Sequence, residues 1–126
     1  MTTPQPAPSD TSSRVREAVA AMLDKKALDL KVLYLGAISD FTDYFVIVSG
    51  TNPRQTKAIW DEVYIRMKHD EGSVPVAVDG DREASWIVAD YLDVVLHVFT
   101  PDARQYYRLE DLWSDVPSET VEAVSV

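Results

Sequence analysis

The chain has 126 residues, 46% of them apolar, with no cysteine and a formal net charge of −9. That size and apolar content suit one globular domain with a modest core and exclude a disordered chain. The lack of cysteine rules out disulfides, thiolate nucleophiles and cysteine-based zinc sites, and the acidic balance disfavours direct nucleic-acid binding, which depends on Lys and Arg neutralising phosphates. A basic protein partner is favoured instead. No apolar run approaches the roughly 20 residues of a membrane-spanning helix. The Met1–Pro8 segment also lacks the basic start and apolar stretch of a signal peptide, so a soluble, cytoplasmic protein without a membrane partner is expected.

Residues 1–12 are rich in Pro, Ser and Thr and read as a tail. Ser12 or Ser13 can cap a first helix, whose apolar positions Val15, Ala18, Val19, Met22 and Leu23 share one face. Leu30–Leu35 reads as a strand. Tyr44–Ser49 reads as a second, and its apolar, mostly β-branched centre Phe45–Val48 predicts cover on both faces. Gly50 lets the chain turn. Asn52 is placed to cap a helix that starts at Pro53 and runs to about Asp70, with Gln55 able to return a bond to the cap backbone. Ile59, Val63 and Met67 should face inward, and Glu71-Gly72 should end the helix.

Val74–Val78 predicts a short third strand. Trp86–Ala89 and Val94–Phe99 predict a hairpin closed by the tight link Asp90-Tyr-Leu-Asp93. Pro101 opens a short last helix, with Asp102 where a negative charge suits the helix dipole. Residues from 117 onward read as an acidic tail. The expectation is one α/β (or α+β) domain over residues 13–116, in the order αββαβββα, with helices packed on a mixed five-stranded sheet.

Catalytic signatures are sparse. His69 sits at a polar helix end, where bonding to terminal carbonyls is the simplest role. His97 lies in an apolar strand, either as a hydrogen-bonded core residue or as a site residue on the open side of the sheet. Neither belongs to a metal-ligand motif. Ser49-Gly50 lacks the frame of a nucleophile elbow, and the glycines at 36, 50, 72 and 80 are too dispersed for a phosphate cradle. A small metal-dependent nucleotidyltransferase is the enzyme alternative. Such enzymes set two carboxylates two residues apart on a strand, whereas Asp90 and Asp93 are three apart across a turn. No catalytic residue, metal or cofactor is therefore expected.

The window 79–93 gathers Asp79, Asp81, Glu83, Asp90 and Asp93 against a single Arg82, and also holds Trp86 and Tyr91. Large amphipathic rings beside carboxylates suit an interface, and a solvated acidic loop beside a core tryptophan explains the same residues. Strand alternation puts Trp86 and Val88 on one face and Ile87 and Ala89 on the other, and either set could be the buried one.

The run Phe41-Thr-Asp-Tyr-Phe-Val-Ile-Val-Ser-Gly-Thr51 with Arg54-Gln55, then Trp86, then Asp90-Tyr-x-Asp-Val-Val-x-His-Val-Phe99, then Arg104-x-Tyr-Tyr-x-Leu-Glu-x-Leu-Trp113, resembles the ribosomal silencing factor (Iojap-related) family over about residues 14–114. The resemblance implies a non-enzymatic protein with a nucleotidyltransferase-like fold. Such a protein would bind the large ribosomal subunit through ribosomal protein number fourteen, block subunit joining, and repress translation under nutrient limitation. It implies partner contacts at Trp86, Asp90, Tyr91 and Asp93, with His97, Tyr107 and Glu110 as neighbours. An adaptor for another basic protein is a further alternative, and an exposed sheet edge would permit a homodimer. Leu92 departs from the family, which commonly has Gly in this turn. If the turn needs a positive φ, Leu92 is strained there.

Overall fold

A computed structural model describes residues 12–36 and 39–121. The predicted order α1 (Ser13–Asp24), β1 (Leu28–Tyr34), β2 (Tyr44–Ser49), α2 (Pro53–Glu71), β3 (Ala77–Asp79), β4 (Trp86–Asp90), β5 (Val94–Phe99) and α3 (Pro101–Tyr107) is observed. It is followed by a 3-10 helix, Leu109–Trp113, and by an additional strand, β6 (Ser118–Val121). The sheet therefore has six strands, in the order β3-β4-β5-β2-β1-β6, where five were expected. Among the described strands only β2 and β5 pair in parallel.

The sixth strand corrects the predicted C-terminal boundary. Ser118–Val121, read as acidic tail, pairs antiparallel with Leu30–Leu33 of β1, and Tyr34 Oη donates to Glu119 Oε1 at 3.0 Å. A strand with one apolar residue gives little periodic signal, and its place is set by the neighbouring ladder instead. The rest of that predicted tail, 122–126, and residues 1–11 of the predicted N-terminal tail lie outside the described residues. Ser12 itself caps α1 by accepting the Val15 N–H.

Helix α2 starts as its sequence predicts. Asn52 Oδ1 accepts the Gln55 N–H at 2.9 Å. Gln55 Oε1 accepts the Thr51 N–H, one residue before the expected cap, at 2.6 Å. The Gln55 amide also donates to the carbonyls of Lys25 and Lys26, both at 3.1 Å, and so ties the end of α1 to the start of α2. Gly72 closes α2 in the left-handed conformation, φ 61°. His69 pairs with the Asp70 carboxylate and not with terminal carbonyls.

Each face of the sheet has its own core. Helices α1 and α2 cover one face, where Val15, Ala18, Met22, Ile59, Val63 and Met67 meet Val46, Val48, Ile87, Leu96 and Val98. The opposite face carries Leu33, Phe45, Ile47, Val95 and Phe99, covered by Ala103, Leu109, Trp113 and Val116. These short C-terminal pieces cover β1 and β2 better than β4. That incomplete cover creates the surface described next.

Candidate interaction surface

Strand alternation settles the orientation of β4. Ile87 and Ala89 are buried under the helices, and Trp86, Val88 and Asp90 are half-buried on the opposite face. The antiparallel register sets Trp86 against Phe99, Val88 against His97 and Asp90 against Val95. On the outer side, Asp79 and Ala77 of β3 pair with Val88 and Asp90 and are exposed. The result is an apolar, aromatic face whose margin carries the Asp79 and Asp90 carboxylates.

The aromatic rings form a connected layer. Trp86 stacks on Phe99 with centroids 4.9 Å apart and lies 4.7 Å from the ring of Tyr107, which is 52% exposed. His97 lies 4.6 Å from Phe45, and Phe45 in turn meets Trp113 at 5.8 Å. Exposed Tyr106 extends the layer from Tyr107, and exposed Phe41 extends it from Phe45. Edge and offset geometries of this kind are the favoured arrangements of aromatic pairs.

His97 is 5% exposed, which corrects its placement among residues able to touch a partner. It faces the open side of the sheet yet is covered by the rings around it. The Trp86 indole Nε1–H donates to His97 Nδ1 at 3.1 Å. Burial depresses the imidazole pKa to about 4, so the ring is neutral near pH 7.

The turn between β4 and β5 separates the remaining predicted residues. Asp90 Oδ1 accepts the Leu92 N–H at 2.8 Å. The Asp93 N–H donates to the Tyr91 carbonyl at 3.0 Å, with Leu92 between them at φ 78°. This is a γ-turn whose central residue sits in strained backbone, the conformation in which a glycine would be relaxed. Tyr91, predicted as a partner anchor, is instead 1% exposed. Its ring lies 6.3 Å from Trp60 on the helix-covered face, and its hydroxyl has no hydrogen-bond partner among the described residues. Tyr91 is a core residue. The Asp93 carboxylate is bound at 2.5 Å by Arg14 of α1, which also donates to Ser73 Oγ and the Tyr91 carbonyl. Arg14, absent from the sequence reading, thus fixes the turn. No local pattern marks it, because its partner is 79 residues away.

Glu110 is likewise engaged within the chain. Arg104 binds its carboxylate through Nε and Nη2, the latter at 2.9 Å. Arg104 Nη1 donates to the Asp29 carbonyl at 2.7 Å and to Ser49 Oγ at 2.9 Å. This clasp joins α3 to β1 and β2 and supports the helix that carries Tyr107. Among the described residues no cluster of three His, Asp or Glu could hold a metal ion. Trp86, Asp90 and Tyr107 are thus the predicted residues that reach this outer surface, joined by Val88, Asp79 and Ala77.

Fold and surface together define an α/β domain with α1 and α2 on one sheet face and, on the other, an aromatic, carboxylate-edged platform only partly covered by α3 and the 3-10 helix. The chain belongs to the ribosomal silencing factor family: the family model "Ribosomal silencing factor during starvation" matches residues 8–126. It is 42% identical over 106 residues to the ribosomal silencing factor RsfS of Bacillus subtilis, covering 83% of this chain and 88% of that one. It is 31% identical over 115 residues to mouse "Mitochondrial assembly of ribosomal large subunit protein 1", covering 87% of this chain and 50% of that protein. A crystal structure of a Chromobacterium violaceum protein superposes with a TM-score of 0.77 at 30% identity, covering 89% of this chain and 93% of that one. Membership places the chain among ribosome-associated regulators of translation. No helix among the described residues is long and apolar enough to cross a membrane.

Proposed function

We propose that this protein docks on the large ribosomal subunit through the open face of β4, covers part of the surface that the small subunit would occupy, and so represses translation when nutrients are short. The observation that carries the reading is Trp86: half-buried, held by Phe99, Tyr107 and His97, on a sheet face whose margin carries the Asp79 carboxylate opposite Val88 and the Asp90 carboxylate at the far end of β4. A rigid aromatic beside acidic groups is the complement of a basic protein surface, and ribosomal proteins are generally basic. Ribosomal protein number fourteen of the large subunit, the partner implied by the family resemblance, is the proposed contact. The site of action is the cytoplasm, and the role is binding without catalysis. Support for the last point comes from the two carboxylates nearest to an enzyme-like pair: Asp90 caps the turn and Asp93 is held by Arg14.

Sedimentation with purified subunits tests the proposal. The protein should co-migrate with large but not small subunits, and its addition should reduce formation of joined ribosomes. Co-migration with neither subunit would refute the proposal.

A further inference from the structure

The core of β5 contains one residue that packing alone does not require. All six positions of Val94–Phe99 are buried, and His97 is the only polar one. Its ring lies among Phe45, Trp86 and Phe99, where an aliphatic side chain would pack without any polar atom to satisfy. The hydrogen bond to Trp86 fixes its tautomer. An indole nitrogen can only donate, so Nδ1 must accept and the neutral imidazole carries its proton on Nε2. That Nε2–H is buried and has no acceptor among the described residues, a state that costs stability. The imidazole therefore gives the fold one bond and takes one unmet donor in return.

What the bond does accomplish is to orient Trp86. Contact with the Phe99 and Tyr107 rings restrains the indole plane but, being non-directional within that plane, does not specify which edge points where. A hydrogen bond to the indole nitrogen removes that freedom, because one edge must point at His97. We infer that His97 is a positioning residue: buried and unable to touch a partner itself, it locks the Trp86 indole in a single orientation so that its other edge is ready for docking. Rigidity of this kind raises affinity by removing the entropy cost of ordering a side chain on binding. The inference rests on the proposal that Trp86 meets the partner, and the experiment separates the two.

In the full-length protein, His97→Leu keeps the volume but deletes the acceptor, and His97→Asn sets an amide oxygen near the position of Nδ1. Exchange of the Trp86 indole N–H with solvent, followed by NMR with the signal assigned through Trp86→Phe, reports the lock directly. Co-sedimentation with large subunits reports its consequence. His97→Leu should keep its fold, expose the indole N–H to exchange at least about tenfold faster, and weaken subunit binding by up to about tenfold, the value of one immobilised side chain. His97→Asn should restore both. A purely structural histidine would show no rescue by Asn that Leu does not also give, and that result would overturn the inference. So would an indole N–H as protected in His97→Leu as in the wild type. If the leucine protein fails to fold, His97→Gln takes its place, because its amide reaches the Nε2 position and leaves the indole without an acceptor. If Trp86→Phe and Trp86→Ala bind subunits normally, the docking proposal fails, and the exchange contrast between Leu and Asn still decides whether the lock exists.

Discussion

Arg104→Met tests whether Glu110 belongs to the fold or to a partner contact. The substitution keeps the aliphatic stem and removes a guanidinium whose side chain is 13% exposed, against 22% for Glu110. It deletes the fork on Glu110 and the bonds to the Asp29 carbonyl and Ser49 Oγ. Removing one partner of a buried ion pair costs roughly 3–5 kcal/mol, and the partial exposure of Glu110 argues for the lower end, about 3 kcal/mol. At about 4 °C per kcal/mol for a domain of this size, the melting temperature should fall by about 12 °C. Glu110→Gln, which leaves Arg104 its two neutral acceptors, should cost about 1–2 kcal/mol. Thermal unfolding followed by circular dichroism measures both. The reasoning is refuted if Arg104→Met melts within about 3 °C of the wild type. Equally, a Glu110→Gln protein that melts normally but binds large subunits poorly would return Glu110 to the interface.

Three further outcomes follow from the geometry. Leu92→Gly should stabilise the protein by about 0.5–1 kcal/mol, because relief of a left-handed backbone exceeds the extra unfolded-state entropy of glycine, and the lost side chain is 61% exposed; a lower denaturant midpoint would contradict the γ-turn assignment. His97, with its pKa depressed from 6.5 to about 4, takes up its proton in the unfolded chain first, so stability should fall as pH drops from about 6.5 to 4. The loss should total about 3 kcal/mol, and a His97→Asn protein with an equally steep acid slope would refute that assignment. Ending the chain at Pro117 should cost on the order of 2 kcal/mol, since the β6 ladder contributes about 1 kcal/mol per bond and the released strand entropy offsets part of it; unchanged melting would show that β6 adds nothing to the sheet.

What could be read in the sequence was whatever the local chain determines. Asn52, Pro53 and Gln55 announce the start of α2, and Gly72 its end, because capping partners lie within five residues. The apolar run Phe45–Val48 announces a central strand for a similar reason, since both of its faces are covered. Alternation correctly divided β4 into two faces, but which face would be open depended on how far α3 and the 3-10 helix extend over the sheet. An amphipathic ring next to carboxylates suits an interface and a core equally well, and only the packing of α2 against the turn decides for Tyr91, whose ring lies under α2 and meets Trp60. The Arg14–Asp93 and Arg104–Asp29 contacts join residues 79 and 75 positions apart and leave no local trace. The Trp86–His97 bond was more accessible. A hairpin closing around Leu92 puts both residues on one face, diagonal to each other, and an indole next to an imidazole suggests a donor and an acceptor.

The most direct measurement is co-sedimentation of wild-type and Trp86→Ala proteins with purified large ribosomal subunits, each protein first shown by its melting curve to be folded. Wild type should co-migrate, and the alanine protein should bind at least about thirtyfold more weakly, the loss of about 2 kcal/mol expected of a central aromatic anchor. A folded Trp86→Ala protein that still binds at full strength would contradict the claim that the open face of β4 is the docking surface.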